Sequence, residues 1–190
     1  MNILGISGSL RKGSYNTLLL RAARQSIAED ANMEIFDIST IPFYNADIDG
    51  DVKPHPVHRL LESISGSDCL LFVTPEYNHS IPGVLKNAID WASRPAFQSV
   101  LRKKPAGILS ASTSSVGGAR AQEHLRGVLS STLTPVFLTP DYLLLLANKA
   151  FDGAGMLIDE TDEKRLKRYL AEFCDWVLKL QKADSSIRNP

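Results

Sequence analysis

Residues 2–20 read NILGISGSLRKGSYNTLLL, and this stretch decides the fold. Its first six residues form a continuous apolar run that is typical of a buried parallel strand. A loop of glycine, serine, arginine and lysine follows, and apolar residues then recur at helical spacing. Ser14 or Asn16 is placed to cap that helix. A strand, a short Gly/Ser loop and a helix together predict the first half of a βαβ unit.

The same alternation of strand and helix continues along the chain. Further strands are predicted at residues 33–38, 69–74, 106–112 and 135–139. Helices are predicted at residues 16–29, 57–67, 83–93, 119–132 and 162–181. This α/β pattern predicts a parallel sheet with helices on both faces. The two common strand orders, flavodoxin-like and Rossmann-like, are both compatible with the alternation alone.

Composition limits the class of protein. The 190 residues, 44% of them hydrophobic, are enough for one domain with a substantial core. Because 21 basic and 21 acidic residues cancel, net charge gives no reason to expect nucleic acid or a membrane as partner. The N-terminal residues lack a secretion pattern, and the apolar runs are short, so a cytoplasmic protein is expected. No metal site is predicted, because the cysteines and histidines lack ligand spacing.

The loop after the first strand has the composition of an anion site. Its backbone N–H groups, its hydroxyls and the start of the next helix all favour a negative charge, and Arg11 and Lys12 add positive charge. A nucleoside-triphosphate loop would need lysine where Ser14 stands. The glycine spacing of a dinucleotide fingerprint is also missing. The residues therefore predict a site for a monophosphate.

Two further loops are unlike ordinary turns. Residues 74–83, TPEYNHSIPG, are stiffened by two prolines. Backbone groups of Glu76, Tyr77 and Asn78 could contact the edge of a flat heterocycle, and the tyrosine offers a stacking surface. Residues 110–122, SASTSSVGGARAQ, are small enough to leave room for a ring. Because loops after parallel strands meet at one edge of the sheet, the three together predict a phosphorylated, planar aromatic cofactor.

The motifs GSLRKGSYN, TPEYNHSIPGVLKNAIDW and GGARAQEHLR resemble the NAD(P)H-dependent FMN reductase family, in particular its chromate, quinone and azo-dye reductase branch. They occur in the same order and at the expected separations. The resemblance implies a flavodoxin-like three-layer sandwich with a five-stranded parallel sheet in the order 2-1-3-4-5. It also implies one FMN-binding domain, which covers residues 1–182. The polar residues 183–190 that follow are expected to form a flexible C-terminal tail.

The resemblance also implies which residues bind FMN. The residues assigned to its phosphate are Ser9, Arg11, Ser14, Asn16 and Thr17. The residues assigned to its isoalloxazine ring, largely through backbone groups, are Pro75, Glu76, Tyr77 and Asn78, with Ser112 on the other side. No catalytic side chain is assigned, because solvent or backbone groups can exchange protons with the ring. His79 departs from several relatives, and we hypothesise that it could tune substrate choice.

The activity that the resemblance implies is an oxidoreductase. It would use NAD(P)H to reduce quinones, azo compounds, chromate-like oxyanions or free flavin by ping-pong hydride transfer. The partners expected are the nicotinamide, a small acceptor and further copies of the chain in a homodimer or homotetramer, with the helix that carries Trp91 at the interface. Two alternatives stay open: a flavodoxin-type electron carrier, which usually has a strongly acidic surface, and a flavin-binding sensor or interaction protein.

Overall fold

A five-stranded parallel sheet forms the centre of the structure, a computed structural model that describes residues 1–138 and 141–188. The strands are β1 (Asn2–Ser7), β2 (Asn32–Phe36), β3 (Cys69–Val73), β4 (Ala106–Ala111) and β5 (Tyr142–Leu144). Their order is β2-β1-β3-β4-β5. The flavodoxin-like order is thereby confirmed.

Five α-helices in the described residues cover the sheet. They are α1 (Tyr15–Ser26), α2 (His55–Gly66), α3 (Gly83–Ala92), α4 (Ala119–Ser131) and α5 (Glu160–Arg188). Of these described helices, none combines the length and the apolar character needed to cross a membrane. α5 continues through residues 183–188, so the segment predicted as a tail begins as the end of this helix. Residues 189 and 190 lie outside the described part of the chain.

Each central strand divides its side chains between two apolar layers. Ile3 and Leu71 are buried in the layer that α1 and α5 cover. Their neighbours Leu4 and Leu70 are buried in the layer under α2, α3 and α4. Because alternate residues of a strand face opposite sides, a sheet covered on both faces requires strands that are apolar throughout. This requirement explains the continuous apolar runs of the sequence and confirms the three-layer sandwich.

The fifth strand lies later in the chain than residues 135–139, where it was predicted. Pro135 and Phe137 exchange backbone hydrogen bonds with Ala106 at 2.9 and 2.8 Å, but this contact is only an isolated bridge through Val136. The phenylalanine then packs against aromatic rings of α5. The apolar run from Tyr142 pairs with the carboxyl half of β4 instead. Residue 139 lies outside the described residues.

Asn16 joins the start of α1 to the end of β4. β3 pairs with β4 as far as Leu109, so no residue of β3 occupies the ladder position opposite Ala111. The Asn16 side chain occupies that position: its Nδ2 donates to the Ala111 carbonyl and its Oδ1 accepts from the Ala111 N–H, both at 2.9 Å. The side chain is buried, so these two bonds replace backbone pairing where the strand has ended.

Replacing Asn16 with alanine should destabilise the apoprotein. Asn16→Ala leaves a buried N–H and a buried C=O of Ala111 without partners, and each such group costs about 1–3 kcal/mol. We expect the free energy of unfolding in urea to fall by about 3 kcal/mol. Asn32→Ala is the matched control, because that asparagine is exposed and should change stability by less than about 0.5 kcal/mol. Equal effects of the two substitutions would contradict this role of Asn16.

Candidate functional site

Three loops meet at the carboxyl edge of the sheet, because they follow the neighbouring strands β1, β3 and β4. The first loop joins β1 to α1, the second joins β3 to α3, and the third joins β4 to α4. Direct contacts link them. The Gly8 N–H at the start of the first loop donates to the carbonyl of Val73, the last residue of β3, at 2.9 Å. The structure thus brings together the three loops that the sequence singled out.

The first loop is held by its own hydroxyl groups. Ser14 caps α1, with its Oγ accepting from the Thr17 N–H at 3.3 Å. The Thr17 hydroxyl lies 2.9 Å from that of Ser7. The Ser9 Oγ accepts from the Arg11 N–H at 3.4 Å. These contacts shape the loop around the start of a helix, where first-turn N–H groups have no intrahelical acceptor.

Two of the predicted phosphate residues differ in what they can offer an anion. The Arg11 side chain is exposed and forms no ion pair with any described residue. Its guanidinium is therefore available to a phosphate. Both polar atoms of the Asn16 side chain are committed to Ala111, so at this helix start the residue offers its backbone N–H. Residue type alone did not distinguish these two positions.

The second loop contains a tight hairpin. Tyr77 and Ser80 exchange backbone hydrogen bonds at 2.9 and 3.0 Å. The two residues between them, Asn78 and His79, have φ values of +49° and +64°, as a type I′ turn requires. This turn holds the loop rigid and leaves the Tyr77 side chain 51% exposed. The structure places His79 at the exposed tip of the hairpin, and its effect on substrate choice stays a hypothesis.

Glu76 connects the second loop to the third. Its carboxylate accepts from the backbone N–H of Arg120 at 3.1 Å and pairs with the same residue's guanidinium at 3.1 Å. α4 needs this contact, because its N-cap is Gly118, which has no side chain to cap the helix. The carboxylate is thus turned toward α4, and the backbone of Glu76 is what the loop can present to a ligand. Sequence reasoning did not assign Arg120, although it stands in the motif GGARAQEHLR.

The glycine pair of the third loop allows a close backbone approach. Gly117 and Gly118 have φ values of +66° and +89°. A Cβ at Gly117 would lie 2.6 Å from a Leu145 methyl group, and one at Gly118 would lie 2.9 Å from the Ser110 Cβ. The Ser110 hydroxyl donates to the Gly117 carbonyl at 2.6 Å and accepts from the buried Gln122 side chain at 2.8 Å. This network, which sequence reasoning missed, anchors the third loop to β4 and α4.

Ser112 is anchored by its backbone at the start of the third loop. Its N–H donates to the Leu144 carbonyl at 3.0 Å, and its carbonyl accepts from the Ala147 N–H at 2.9 Å. Its hydroxyl lies 3.1 Å from that of Ser114. The residue is half-buried, on the β5 side of the site. Ser112 therefore lies opposite the second loop, across β4.

Neither cysteine has the properties of a reactive thiol. Burial raises the pKa of the Cys69 thiol to about 12, and it also raises the pKa of Cys174. Thiolate is the reactive form of cysteine, and a raised pKa disfavours that form at neutral pH. Among the residues that the structure describes, no group of three or more His, Cys, Asp and Glu side chains could hold a metal ion. The polar character of the site comes from hydroxyls, backbone groups and Arg11.

The sheet order defines a flavodoxin-like fold, and the three loops at its carboxyl edge suit a phosphorylated, planar ligand. An FMN molecule fits these groups: an unpaired arginine and a helix N-terminus suit its phosphate, and a rigid hairpin with a half-exposed tyrosine suits its ring. The donors are those that a phosphate monoester prefers.

Comparison with known proteins gives the family. The family model described as NADPH-dependent FMN reductase matches residues 1–148. An NAD(P)H-dependent FMN reductase of Pseudomonas aeruginosa is 44% identical over 181 residues, which are 95% of this chain and 97% of that protein. A 2-hydroxy-1,4-benzoquinone reductase of Burkholderia sp. is 37% identical over 177 residues, or 93% of this chain and 96% of that protein. The chain belongs to the NADPH-dependent FMN reductase family, a family of oxidoreductases with FMN as cofactor and NAD(P)H as co-substrate.

Solved structures agree with the fold. FerB, a flavoenzyme NAD(P)H:(acceptor) oxidoreductase from Paracoccus denitrificans, superposes with a TM-score of 0.87 at 35% identity, over 94% of this chain and 97% of that one. A flavodoxin WrbA-like protein from Agrobacterium tumefaciens superposes with a TM-score of 0.62 at 15% identity, over 94% of this chain and 98% of that one. The second comparison supports the flavodoxin-like fold alone.

Alanine at Gly117 should disturb the third loop. A side chain at φ +66° is strained, and the added Cβ meets Leu145 and Leu143. We expect Gly117→Ala to lower the free energy of unfolding by about 1–3 kcal/mol in urea denaturation. Gly127→Ala is the control, because Gly127 lies within α4 with open space around it, and the substitution should be neutral or stabilising by up to about 1 kcal/mol. An unchanged free energy of unfolding in Gly117→Ala would contradict the claim that the third loop requires glycine at this position.

Proposed function

We propose that this protein oxidises NAD(P)H and reduces small acceptors by ping-pong hydride transfer, with quinones as the main acceptors. Azo compounds, chromate-like oxyanions and free flavin are further acceptors in the same proposal. The observation that carries it is the pairing of an anion loop after β1 with a rigid aromatic hairpin after β3. When bound, FMN would supply the redox chemistry between the nicotinamide and the acceptor. Quinone reduction is supported by several relatives that are named as quinone reductases or quinone oxidoreductases.

The first loop would hold the FMN phosphate. The Arg11 guanidinium supplies a charge-assisted hydrogen bond, and the Ser9 hydroxyl and the N–H groups at the start of α1 complete the set of donors. Ser14 and Thr17 keep this helix start in place through the hydrogen bond between them. Phosphate affinity in this arrangement comes from positive charge and oriented N–H groups.

The second and third loops would hold the ring. The Glu76 carboxylate is engaged by Arg120, so the ring edge would meet backbone groups of Pro75, Glu76 and Asn78. The backbone N–H of Tyr77 is already bonded to the Ser80 carbonyl, so it is not available to the ring of FMN. What Tyr77 offers is its exposed aromatic side chain, on which the ring could stack. Ser112 would close the opposite side. We assign no catalytic side chain, because proton exchange with solvent is sufficient in an open site.

A flavodoxin-type electron carrier has the same fold and would bind the same cofactor. Carriers dock on protein partners through strongly charged surfaces. The net charge of this chain is zero, from 21 basic and 21 acidic residues, which favours the enzyme. The other alternative, a flavin-binding sensor, would bind FMN with negligible turnover.

We also propose that the protein acts in the cytoplasm as a homodimer or homotetramer. The sequence interpretation placed the helix that carries Trp91, α3, at the interface, and this stays a prediction. The Trp91 side chain itself is fully buried, and its Nε1 donates to the Pro42 carbonyl at 2.8 Å. The exposed side of α3 instead borders a groove shared with α4, with a volume of about 700 Å³. That groove is the surface of α3 that a second copy could contact.

Steady-state kinetics of the purified holoprotein tests the activity. We expect it to oxidise NADH or NADPH rapidly only when benzoquinone is added. Reciprocal plots at several quinone concentrations should give parallel lines, as a ping-pong reaction requires. Flavin reduction without turnover would favour the sensor, and turnover only with a one-electron protein acceptor would favour the carrier.

Removing the charge of Arg11 should weaken FMN binding. Loss of one charge-assisted contact costs about 1.5–3 kcal/mol, which raises the dissociation constant tenfold or more. Fluorescence titration of the apoprotein with FMN measures this change in Arg11→Ala. Arg24→Ala is the matched control, because Arg24 is exposed at the other end of α1 and should leave the constant unchanged. Unaltered FMN affinity in Arg11→Ala would contradict the placement of the phosphate.

A further inference from the structure

Three side chains from two distant parts of the chain are stacked beside the first loop. The Arg11 guanidinium carbon lies 5.1 Å from the centre of the Tyr15 ring. The Tyr15 ring is in turn stacked with that of Phe151, with centroids 6.3 Å apart and an interplanar angle of 7°. Phe151, Tyr15 and Arg11 thus form a row of contacting side chains. Phe151 comes from a segment after β5, Tyr15 is the first residue of α1, and Arg11 belongs to the first loop.

The segment that carries Phe151 is a short, well-defined hairpin. Phe151 and Leu157 form an antiparallel bridge. Inside the hairpin, the Asp152 carboxylate accepts from the N–H groups of Ala154 at 2.9 Å and Met156 at 2.8 Å. The hairpin also packs against α1, since a Cβ at Gly155 would lie 3.0 Å from a Leu18 methyl group. The hydrogen bonds inside the hairpin and its packing against α1 hold Phe151 against Tyr15.

Arg11 depends on this row for its position. An arginine side chain has large rotamer entropy, which is lost when the side chain binds an anion. In the described residues no carboxylate pairs with Arg11, so the Tyr15 ring is the contact that restrains its guanidinium. A cation over an aromatic face is attracted to it without losing its hydrogen-bond donors. Such a restraint orients the guanidinium and leaves its N–H groups free.

We propose that Phe151 is a positioning residue for phosphate recognition: through Tyr15 it holds Arg11 ready for the phosphate of the flavin. This inference rests on the proposed function, which places the phosphate at the first loop. Its consequence is selectivity, since the row should strengthen binding of phosphorylated FMN and have no effect on riboflavin, which has the same ring and no phosphate.

The test is titration of the full-length apoprotein with FMN and, separately, with riboflavin. Phe151→Leu should raise the dissociation constant of FMN about two- to fivefold, the size of one exposed cation–π contact, with that of riboflavin unchanged. Phe151→Tyr keeps the ring and should bind FMN like the native protein. In a double-mutant cycle, Phe151→Leu should have no further effect once Arg11 is alanine. In the Lys12→Ala background, by contrast, Phe151→Leu should weaken FMN binding by the same factor as in the native protein, because Lys12 is a neighbouring charge that does not belong to the row.

Three results would overturn the inference: no change in FMN affinity in Phe151→Leu, an equal loss for FMN and riboflavin, or an undiminished effect in the Arg11→Ala background. Thermal melting verifies that each apoprotein is folded, and Phe151→Met replaces the leucine variant if that one is unfolded. If Arg11→Ala weakens FMN binding and Phe151→Leu does not, only the role of Phe151 fails. If Arg11→Ala has no effect on FMN, the phosphate site of the proposed function fails as well.

Discussion

The site depends on the pair of hydrogen bonds between the Asn16 side chain and the backbone of Ala111. β3 pairs with β4 only as far as Leu109. Without a further partner, the buried polar groups of Ala111 would be unpaired, which is costly in a protein interior. One asparagine at the start of α1 satisfies both groups. In doing so it ties the end of the first loop to the end of β4, where the third loop begins.

The remaining loops are joined by contacts of the same kind. Glu76 of the second loop caps α4, and Ser110 with Gln122 holds the glycine pair of the third loop. The polar atoms of these side chains form hydrogen bonds within the protein and are not available to a ligand. The groups left for a cofactor are backbone donors, hydroxyls, the face of Tyr77 and Arg11. A site of this kind would position a cofactor and leave the redox chemistry to it.

The sequence predicted the sheet and the three loops because both follow from local rules. Continuous apolar strands and amphipathic helices encode the layers, and Gly/Ser or proline-rich stretches mark the loops. The fifth strand was misplaced because two apolar runs compete for the edge of β4, and their pairing depends on tertiary contacts of Phe137 with α5. Asn16 and Glu76 were assigned to the ligand by motif, and that assignment stays a prediction. The partners of their side chains, Ala111 and Arg120, could not be predicted because they lie far away in the chain. The burial of Trp91 could not be predicted from the sequence, because it depends on contact with the segment around Pro42, which is far away in the chain.

The central claim is that three loops at one edge of the sheet form a single FMN site. The most direct measurement is the identity and amount of flavin bound to the purified full-length protein, determined from its visible absorbance and by chromatography of the flavin released on denaturation. The account predicts one FMN per chain, released without covalent attachment. A protein that contains no flavin and does not take up added FMN, or that binds riboflavin as tightly as FMN, would contradict it.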